Sequence, residues 1–361
     1  MTKQVISSGL EQVVAAETCL SHVDGAAGEL IVAGWPLAEL VARHDYSAAA
    51  ALLWQPFVPG DADTVRRQLG LGRLRAWHAL LPYAERLRAL PALEALRLGL
   101  DLSADDPELA DPAGVSATLL SAFAHHLGSR RAPDPGCEPI ADLLAQIGQA
   151  AGPEQTRALT AYLVCVCDHG LNASTFTARV IASTGSDLRS SIAGALGALK
   201  GPLHGGAPGP VLDMLDAIGE AERAPAWIAA ELAAGRRIMG FGHRIYRVRD
   251  PRADVLRAAL EAFQAAKPTA TNRLASAGLI ESLIQEALQR HKPGRVLDTN
   301  VEYYTALLLE ALGFERSCFT AVFALGRVLG WLAHALEQAR EGRLIRPQSH
   351  YIGPKIEINS N

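Results

Sequence analysis

From Pro36 onward apolar residues recur at the spacing of one helix face, in text rich in Ala, Leu, Glu and Arg, with breaks at Pro, Gly and Asp. The pattern predicts helices over 36–43, 47–54, 61–69, 73–88, 91–99, 113–127, 137–150 and 153–168. Ser47 and Asp61 stand where N-caps are needed, because their side-chain oxygens can accept the free amide hydrogens of a first turn. Ahead of the helices, Gly25, Gly28 and Gly34 flank the apolar run Leu30-Ile31-Val32, which predicts a short hairpin. The acidic, proline-bearing segment 101–112 reads as a surface loop. No self-similarity at a period of roughly 20 to 50 residues is visible, so a solenoid is not expected. Further on, small-residue helices over 176–183 and 188–200 meet an abrupt stop. Lys200 to Pro210 holds four glycines and three prolines in eleven residues, through which neither a helix nor a central strand can run. Helices resume over 211–222 and 225–235.

With 361 residues, 49% of them hydrophobic, the chain can fill a sizeable core and is long enough for two domains. A net charge of −4, with arginines spread along the chain, points away from nucleic acid and toward small or protein partners. The five cysteines, Cys19, Cys137, Cys165, Cys167 and Cys318, are scattered and lack metal-ligand spacing, the usage of a reducing cytoplasm. Residues 1–9 carry no apolar stretch flanked by basic residues, and no apolar run reaches the roughly 18 residues of a membrane span. The expectation is a soluble, unprocessed, cytoplasmic protein with no membrane partner.

Three polar clusters interrupt this apolar text. His204 is the one titratable side chain inside the glycine-proline break after Lys200, where flanking glycines leave an imidazole uncrowded. Taken alone, an ordinary turn with an exposed histidine accounts for it as well. Asp168-His169-Gly170-Leu171-Asn172-Ala173-Ser174-Thr175 lies where one helix ends and another is capped by Asn172 or Ser174. The third cluster, Arg237 to Arg252, sets His243 between glycine and arginine and places four arginines within nine residues, Arg244 to Arg252. Guanidinium forks match carboxylates and phosphates, so this density fits an anionic ligand; a solvated basic turn is the alternative.

The three clusters together, in this order, resemble citrate synthases of the short dimeric kind. The matching blocks are Asp168 to Lys200, Gly201-Pro202-Leu203-His204-Gly205-Gly206-Ala207, Gly240 to Ala253, Thr299 to Leu312, Phe323 to Gln338 and Leu344 to Ser349, with weaker similarity at Gly9-Leu10-Glu11 and Leu20 to Gly34. The resemblance implies an all-α fold of two helical domains with a small N-terminal hairpin. The large domain covers residues 1–206 and 314–361, and the small one covers 207–313. The break near His204 is then a hinge that lets the small domain close. It implies condensation of acetyl-CoA with oxaloacetate followed by hydrolysis to citrate and CoA, with no metal and no cofactor beyond the CoA thioester, which is a substrate. His204 is then the donor to the thioester carbonyl, and His243 the donor to the oxaloacetate ketone. His169, Arg252, Arg327 and Arg346 hold oxaloacetate, Arg346 being supplied in trans across a homodimer. Arg247, with Arg244, lies near the CoA phosphates. The resemblance points away from the NADH-inhibited hexameric type, since little sequence precedes Gly9.

The sequence departs from the family at its base. Where an Asn-Val-Asp stretch supplies the general base, this chain has Asn300-Val301-Glu302, a side chain longer by one carbon-carbon bond, roughly 1.5 Å. Gly170 stands where many members carry Glu, and Pro208-Gly209 where many carry Asn-Glu. Two alternatives follow: a 2-methylcitrate synthase using propionyl-CoA, and a catalytically weakened paralog that binds CoA or oxaloacetate.

Overall fold

In the computed structural model, residues 9–10, 13–148, 152–204, 208–268 and 273–354 are described. Three short strands, β1 (Ser21–Asp24), β2 (Glu29–Val32) and β3 (Trp35–Pro36), form an antiparallel sheet in that order, with Val23 opposite Leu30 and Val32 opposite Trp35. This is the expected hairpin with one short strand added. Its turn closes because Asp24 Oδ1 accepts from the amides of Ala26 and Ala27 at 2.8 and 2.9 Å.

The remaining ordered elements are helical. They begin with α1 (Leu37–Arg43), α2 (Tyr46–Trp54), α3 (Ala62–Leu80), α4 (Ala84–Ala89), α5 (Ala92–Leu102), α6 (Pro112–His126), α7 (Pro139–Gln146) and α8 (Pro153–Cys165). Next come α9 (Ala173–Ala182) and α10 (Leu188–Leu199), then α11 (Pro208–Ile218) and α12 (Ala224–Ala233) beyond the glycine-proline stretch. The last four are α13 (Pro251–Ala266), α14 (Leu274–His291), α15 (Val301–Ala311) and α16 (Phe319–Glu341). The all-α expectation holds.

Four local expectations are corrected. Helix α3 runs unbroken through Gly70 and Gly72, because both glycines serve packing. A Cβ at Gly72 would sit 3.0 Å from that of Ala117 on α6, and one at Gly70 would strike the Pro135 backbone. The cap of α2 is Asp45, whose Oδ1 accepts from Ala48 N at 2.8 Å, while Ser47 is buried within the helix; Asp61 caps α3 as expected. Segment 101–112 is only partly a surface loop, since it ends α5, forms a 3₁₀ turn over Pro107–Leu109 and buries Leu109 completely under Gly114. Finally, residues 316–341 do have the length and hydropathy of a membrane span, but the 18-residue apolar window within them is 83% buried inside the fold.

That stretch makes α16 the central helix, in contact with α2, α5, α6, α8, α9 and α10. Close approach to the chain leaving α8 depends on two glycines. A Cβ at Gly326 would lie 2.6 Å from Leu163 O, and one at Gly330 would lie 2.5 Å from Asp168 Oδ1. Arg327, between them, is thereby pressed against residues 163–168.

Candidate active site

The chain from Gly240 to Arg252 is braced on two sides. On one side it is stitched to segment 298–300: Gly242 N donates to Asp298 O at 2.7 Å, Asn300 N to Gly240 O at 2.9 Å, and Asn300 Nδ2 to Gly242 O at 2.9 Å. Gly240 and Gly242 have φ of +80° and +79°, a backbone region that L side chains rarely enter. On the other side Arg247 N donates to Gly25 O at 2.7 Å, so the tip of the N-terminal hairpin holds the loop; a Cβ on Gly25 would collide with the Ile245 carbonyl.

Within this loop His243 Nδ1 accepts from the amides of Ile245 and Tyr246, at 3.0 and 3.1 Å. Amides can only donate, so the proton of the neutral ring is on Nε2. Burial, aided by the Arg252 charge, lowers the His243 pKa to about 4, which keeps the ring neutral at pH 7. Nε2 lies 3.3 Å from Arg252 Nη2. Two donors so close are not a hydrogen bond; they converge on a place for a shared acceptor.

Arg252 is held by Asp250, the N-cap of α13. Asp250 Oδ2 accepts from Arg252 Nη2 at 2.7 Å and from Val301 N at 3.1 Å, and Oδ1 accepts from Arg252 Nε at 3.0 Å. Burial opposes the carboxylate charge, but Arg252 outweighs it and keeps the Asp250 pKa below the usual range. Arg327 has no such carboxylate. Its Nε donates to Val166 O at 2.6 Å, and its guanidinium lies 4.7 Å from the Phe323 ring centre. Its Nη2 is buried with no hydrogen-bond partner among the described residues. Burial lowers its pKa to about 10, with Asp168 opposing and Arg252 adding repulsion. A buried, unpaired donor is costly unless an anion meets it, so this corner is built for a carboxylate.

His169 completes the corner. It lies in the turn after α8, where Gly170 takes φ +59° and donates its amide to Ser21 Oγ at 3.0 Å. This conformation suits glycine at a position where many family members carry Glu. The His169 ring is buried, 5.7 Å from the His243 ring centre, and its Nε2 lies 3.0 Å from Tyr246 Oη. Burial, and then Arg252 and Arg327, hold its pKa well below the ordinary value.

His204 is fixed by one residue. The amide of Ser174, in the first turn of α9, lies 3.3 Å from His204 Nε2, and the Ser174 hydroxyl lies 2.8 Å from the same atom. The amide can only donate, so Nε2 is the bare nitrogen and Nδ1 carries the proton. Asn172 caps α9 by accepting from Thr175 N at 3.1 Å and binds the Ser174 hydroxyl at 2.8 Å, while Trp331 Nε1 donates to that hydroxyl at 3.1 Å. Burial, with Arg327 and Arg244 adding repulsion, lowers the His204 pKa to about 4, and the positive end of the helix acts in the same direction. Gly205, Gly206 and Ala207 lie outside the described residues, as does Glu11.

Glu302 stands in the first turn of α15, whose cap Asn300 accepts from Glu302 N at 3.0 Å. Asn300 thus ties the His243 loop and the Glu302 turn together. Burial raises the Glu302 pKa to about 7, opposed by Arg252, reinforced by Asp250 and opposed again by Arg237. A carboxylate titrating there can take and return a proton at neutral pH.

The structure therefore brings His169, His204, His243, Arg252, Arg327 and Glu302 into one electrostatically linked cluster. Arg244 adjoins it, within range to depress His204. Arg247 is exposed, tied by its backbone to the hairpin. Arg346 lies exposed on the tail beyond α16, and among the described residues no hydrogen bond or ion pair ties it to the cluster. The sequence does not single out Asp250 or Tyr246, and it offers Ser174 only as a possible cap of α9. The Asp-Pro-Arg run at 250–252, an N-cap followed by proline at the first helical position, was the available signal for Asp250.

Comparison with known proteins extends these observations. The family model described as "Citrate synthase, C-terminal domain" matches residues 9–348. A putative citrate synthase 2 of Mycobacterium bovis is 46% identical over 202 residues, which are 56% of this chain and 52% of that protein, so the match spans about half its length. A citrate synthase of Haloferax volcanii is 34% identical over 97% of this chain and 96% of its own. A 2-methylcitrate synthase of Mycobacterium tuberculosis is 33% identical over 98% of this chain and 92% of its own. Among solved structures, the citrate synthase of Thermotoga maritima superposes with a TM-score of 0.84 at 34% identity, covering 98% of both chains. That of Thermoplasma acidophilum, solved as a ternary complex with carboxymethyl coenzyme A and oxaloacetate, gives 0.83 at 26% identity, covering 99% of this chain and 98% of its own. With a family model and full-length relatives agreeing with the fold and the histidine-arginine cluster, the chain belongs to the citrate synthase family.

Proposed function

We propose that this chain condenses acetyl-CoA with oxaloacetate and hydrolyses the product to citrate and CoA. The observation that carries the reading is the convergence of His243 Nε2–H and Arg252 Nη2, 3.3 Å apart, beside the unpaired buried Nη2 of Arg327. A 2-oxo dicarboxylate supplies a ketone oxygen for the histidine and carboxylates for the arginines. Glu302 then takes a proton from the thioester α-carbon while Nδ1–H of His204 donates to the thioester carbonyl, giving an enol. The enol carbon bonds to the ketone carbon as the enol O–H proton returns to His204; the ketone oxygen takes the Nε2 proton of His243, and the proton held by Glu302 is returned to that ring through water. Water finally cleaves the thioester, releasing citrate and the CoA thiol. Burial disfavours the imidazolium form of both histidines, so each acts as a neutral N–H donor.

The oxaloacetate site is completed by Arg346 of a second copy in a homodimer, and Arg244 and Arg247 meet the CoA phosphates. The unit 207–313 closes on the unit 1–206 with 314–361, about a hinge near Lys200–Pro210, and excludes water. No cofactor beyond the CoA thioester enters this route. The free thiols of all five cysteines fit a reducing cytoplasm. Propionyl-CoA is the second reading, carried by the 2-methylcitrate synthase relative, since one methylene in an acyl pocket is worth only about 1–3 kcal/mol.

Release of free thiol from acetyl-CoA and propionyl-CoA, each with and without oxaloacetate, tests the reading. Oxaloacetate-dependent release, faster with acetyl-CoA, is expected; faster release with propionyl-CoA moves the assignment to 2-methylcitrate, and none with either overturns it. Mixing Arg346→Ala with His204→Ala protein, under conditions where subunits exchange, should restore up to about half of the activity. Mixed dimers that stay inactive while both parents fold would remove the trans arginine.

A further inference from the structure

We infer that Tyr246 is a substrate-positioning residue that sets the ring orientation and tautomer of His169 and ties it to His243. Three observations carry this. The Tyr246 hydroxyl lies 3.0 Å from His169 Nε2, and both residues are buried, at 2% and 5% exposure. The Tyr246 amide is one of the two donors to His243 Nδ1, at 3.1 Å. The Tyr246 ring centre lies 4.8 Å from that of His243 and 5.6 Å from that of His169, with the Arg252 guanidinium 6.0 Å away. A single residue therefore touches both imidazoles, one through its side chain and one through its backbone.

The chemistry follows from which group can donate. Burial raises the Tyr246 phenol pKa, so the hydroxyl keeps its proton. His169 is held neutral by burial beside two arginines, so one ring nitrogen is bare, and the inferred arrangement puts the ring proton on Nδ1. The phenol O–H thus donates to His169 Nε2. This bond holds the ring edge-on to His243 and beside Arg252, where the oxaloacetate carboxylate is proposed to sit; in that respect the inference rests on the proposed reaction. The hydroxyl is engaged on His169, so its contribution belongs to oxaloacetate binding and not to the chemical step.

Tyr246→Phe keeps the ring and the amide and removes only the hydroxyl. The expected result is a rise of about 10-fold in KM for oxaloacetate, the loss of one buried hydrogen bond, with kcat at saturation changed by less than about 3-fold and KM for the thioester unchanged. In ¹⁵N spectra of histidine-labelled protein the His169 signals should shift while those of His243 stay in place, a separation that general loosening would not give. Added to His169→Asn, the substitution should have no further effect on oxaloacetate binding. An unchanged oxaloacetate KM, unmoved His169 signals, or additive losses in the double variant would each overturn the inference. If wild-type protein releases no thiol with oxaloacetate, the proposed reaction fails, while the nitrogen signals still read the tyrosine-histidine bond.

Discussion

The turns that carry His243 and His204 share a local device, a histidine flanked by glycine in the sequence, yet they are held in opposite ways. The His243 loop is sewn to segment 298–300, pinned by the hairpin at Gly25, and oriented by two amides on one ring nitrogen. His204 is oriented through one residue, Ser174, at the start of α9. The half proposed to bind oxaloacetate is therefore cross-braced from several elements, and the half proposed to bind the thioester hangs on a single helix terminus. Preorganised donors cost no rearrangement when charge develops, so the chain has placed its strongest preorganisation around the dicarboxylate.

The largest expected effect tests Glu302, the proposed base. Glu302→Gln should lower kcat by about 10³-fold while leaving oxaloacetate binding within a few-fold, since an amide cannot take a proton. Glu302→Asp withdraws the carboxylate and should also lower kcat; a rise would mean that the longer side chain is ill-fitted to this backbone. Because the base must be ionised, kcat/KM should fall as pH drops through about 7. The stability sign runs the other way. With a folded pKa raised above the unfolded value, Glu302 favours the native state when protonated, so wild-type stability should decline relative to Glu302→Gln between about pH 4.5 and 7. A melting-temperature series on both proteins measures this.

Next in size, His243→Ala and His204→Ala should each cost about 10²-fold or more in kcat, but calorimetry should find weaker oxaloacetate binding only in the first. Equal losses in both would erase the contrast between the two turns. Asp250→Asn removes the partner of a buried arginine and should cost about 3–5 kcal/mol of stability, together with a rise of about 10-fold in KM for oxaloacetate. Smallest is Gly25→Ala, which has no room for its methyl against Ile245. It should raise KM for oxaloacetate by about 3-fold without altering the KM for the thioester, and an effect on the thioester alone would detach the hairpin from the His243 loop.

Much of this was legible from residue order. Helical spacing gave α1, α2, α5, α6 and α8 within a few residues, glycines flanking Leu30-Ile31-Val32 gave the hairpin, and the polar clusters gave the histidines and arginines of the site. What stayed hidden depended on the third dimension. Gly70 and Gly72 read as breaks because a glycine that makes room for a neighbouring helix looks the same in sequence as one that ends its own. Tyr246 was missed, and Ser174 was legible only as a cap, because their partners, His169 and His204, lie 77 and 30 positions away. Arg346 could be proposed only from family resemblance, since it lies exposed on the tail beyond α16.

The central position of α16 bears on how the protein is made. Residues 319–341 leave the ribosome after every helix they pack against, so α2, α5, α6, α8, α9 and α10 spend synthesis with a channel of apolar surface open between them. A chain stalled before Phe319 lacks both the filler of that channel and Arg327. Such a nascent chain would be a natural client for chaperones and a poor candidate for independent folding, whereas the hairpin and the first helices can form early and wait.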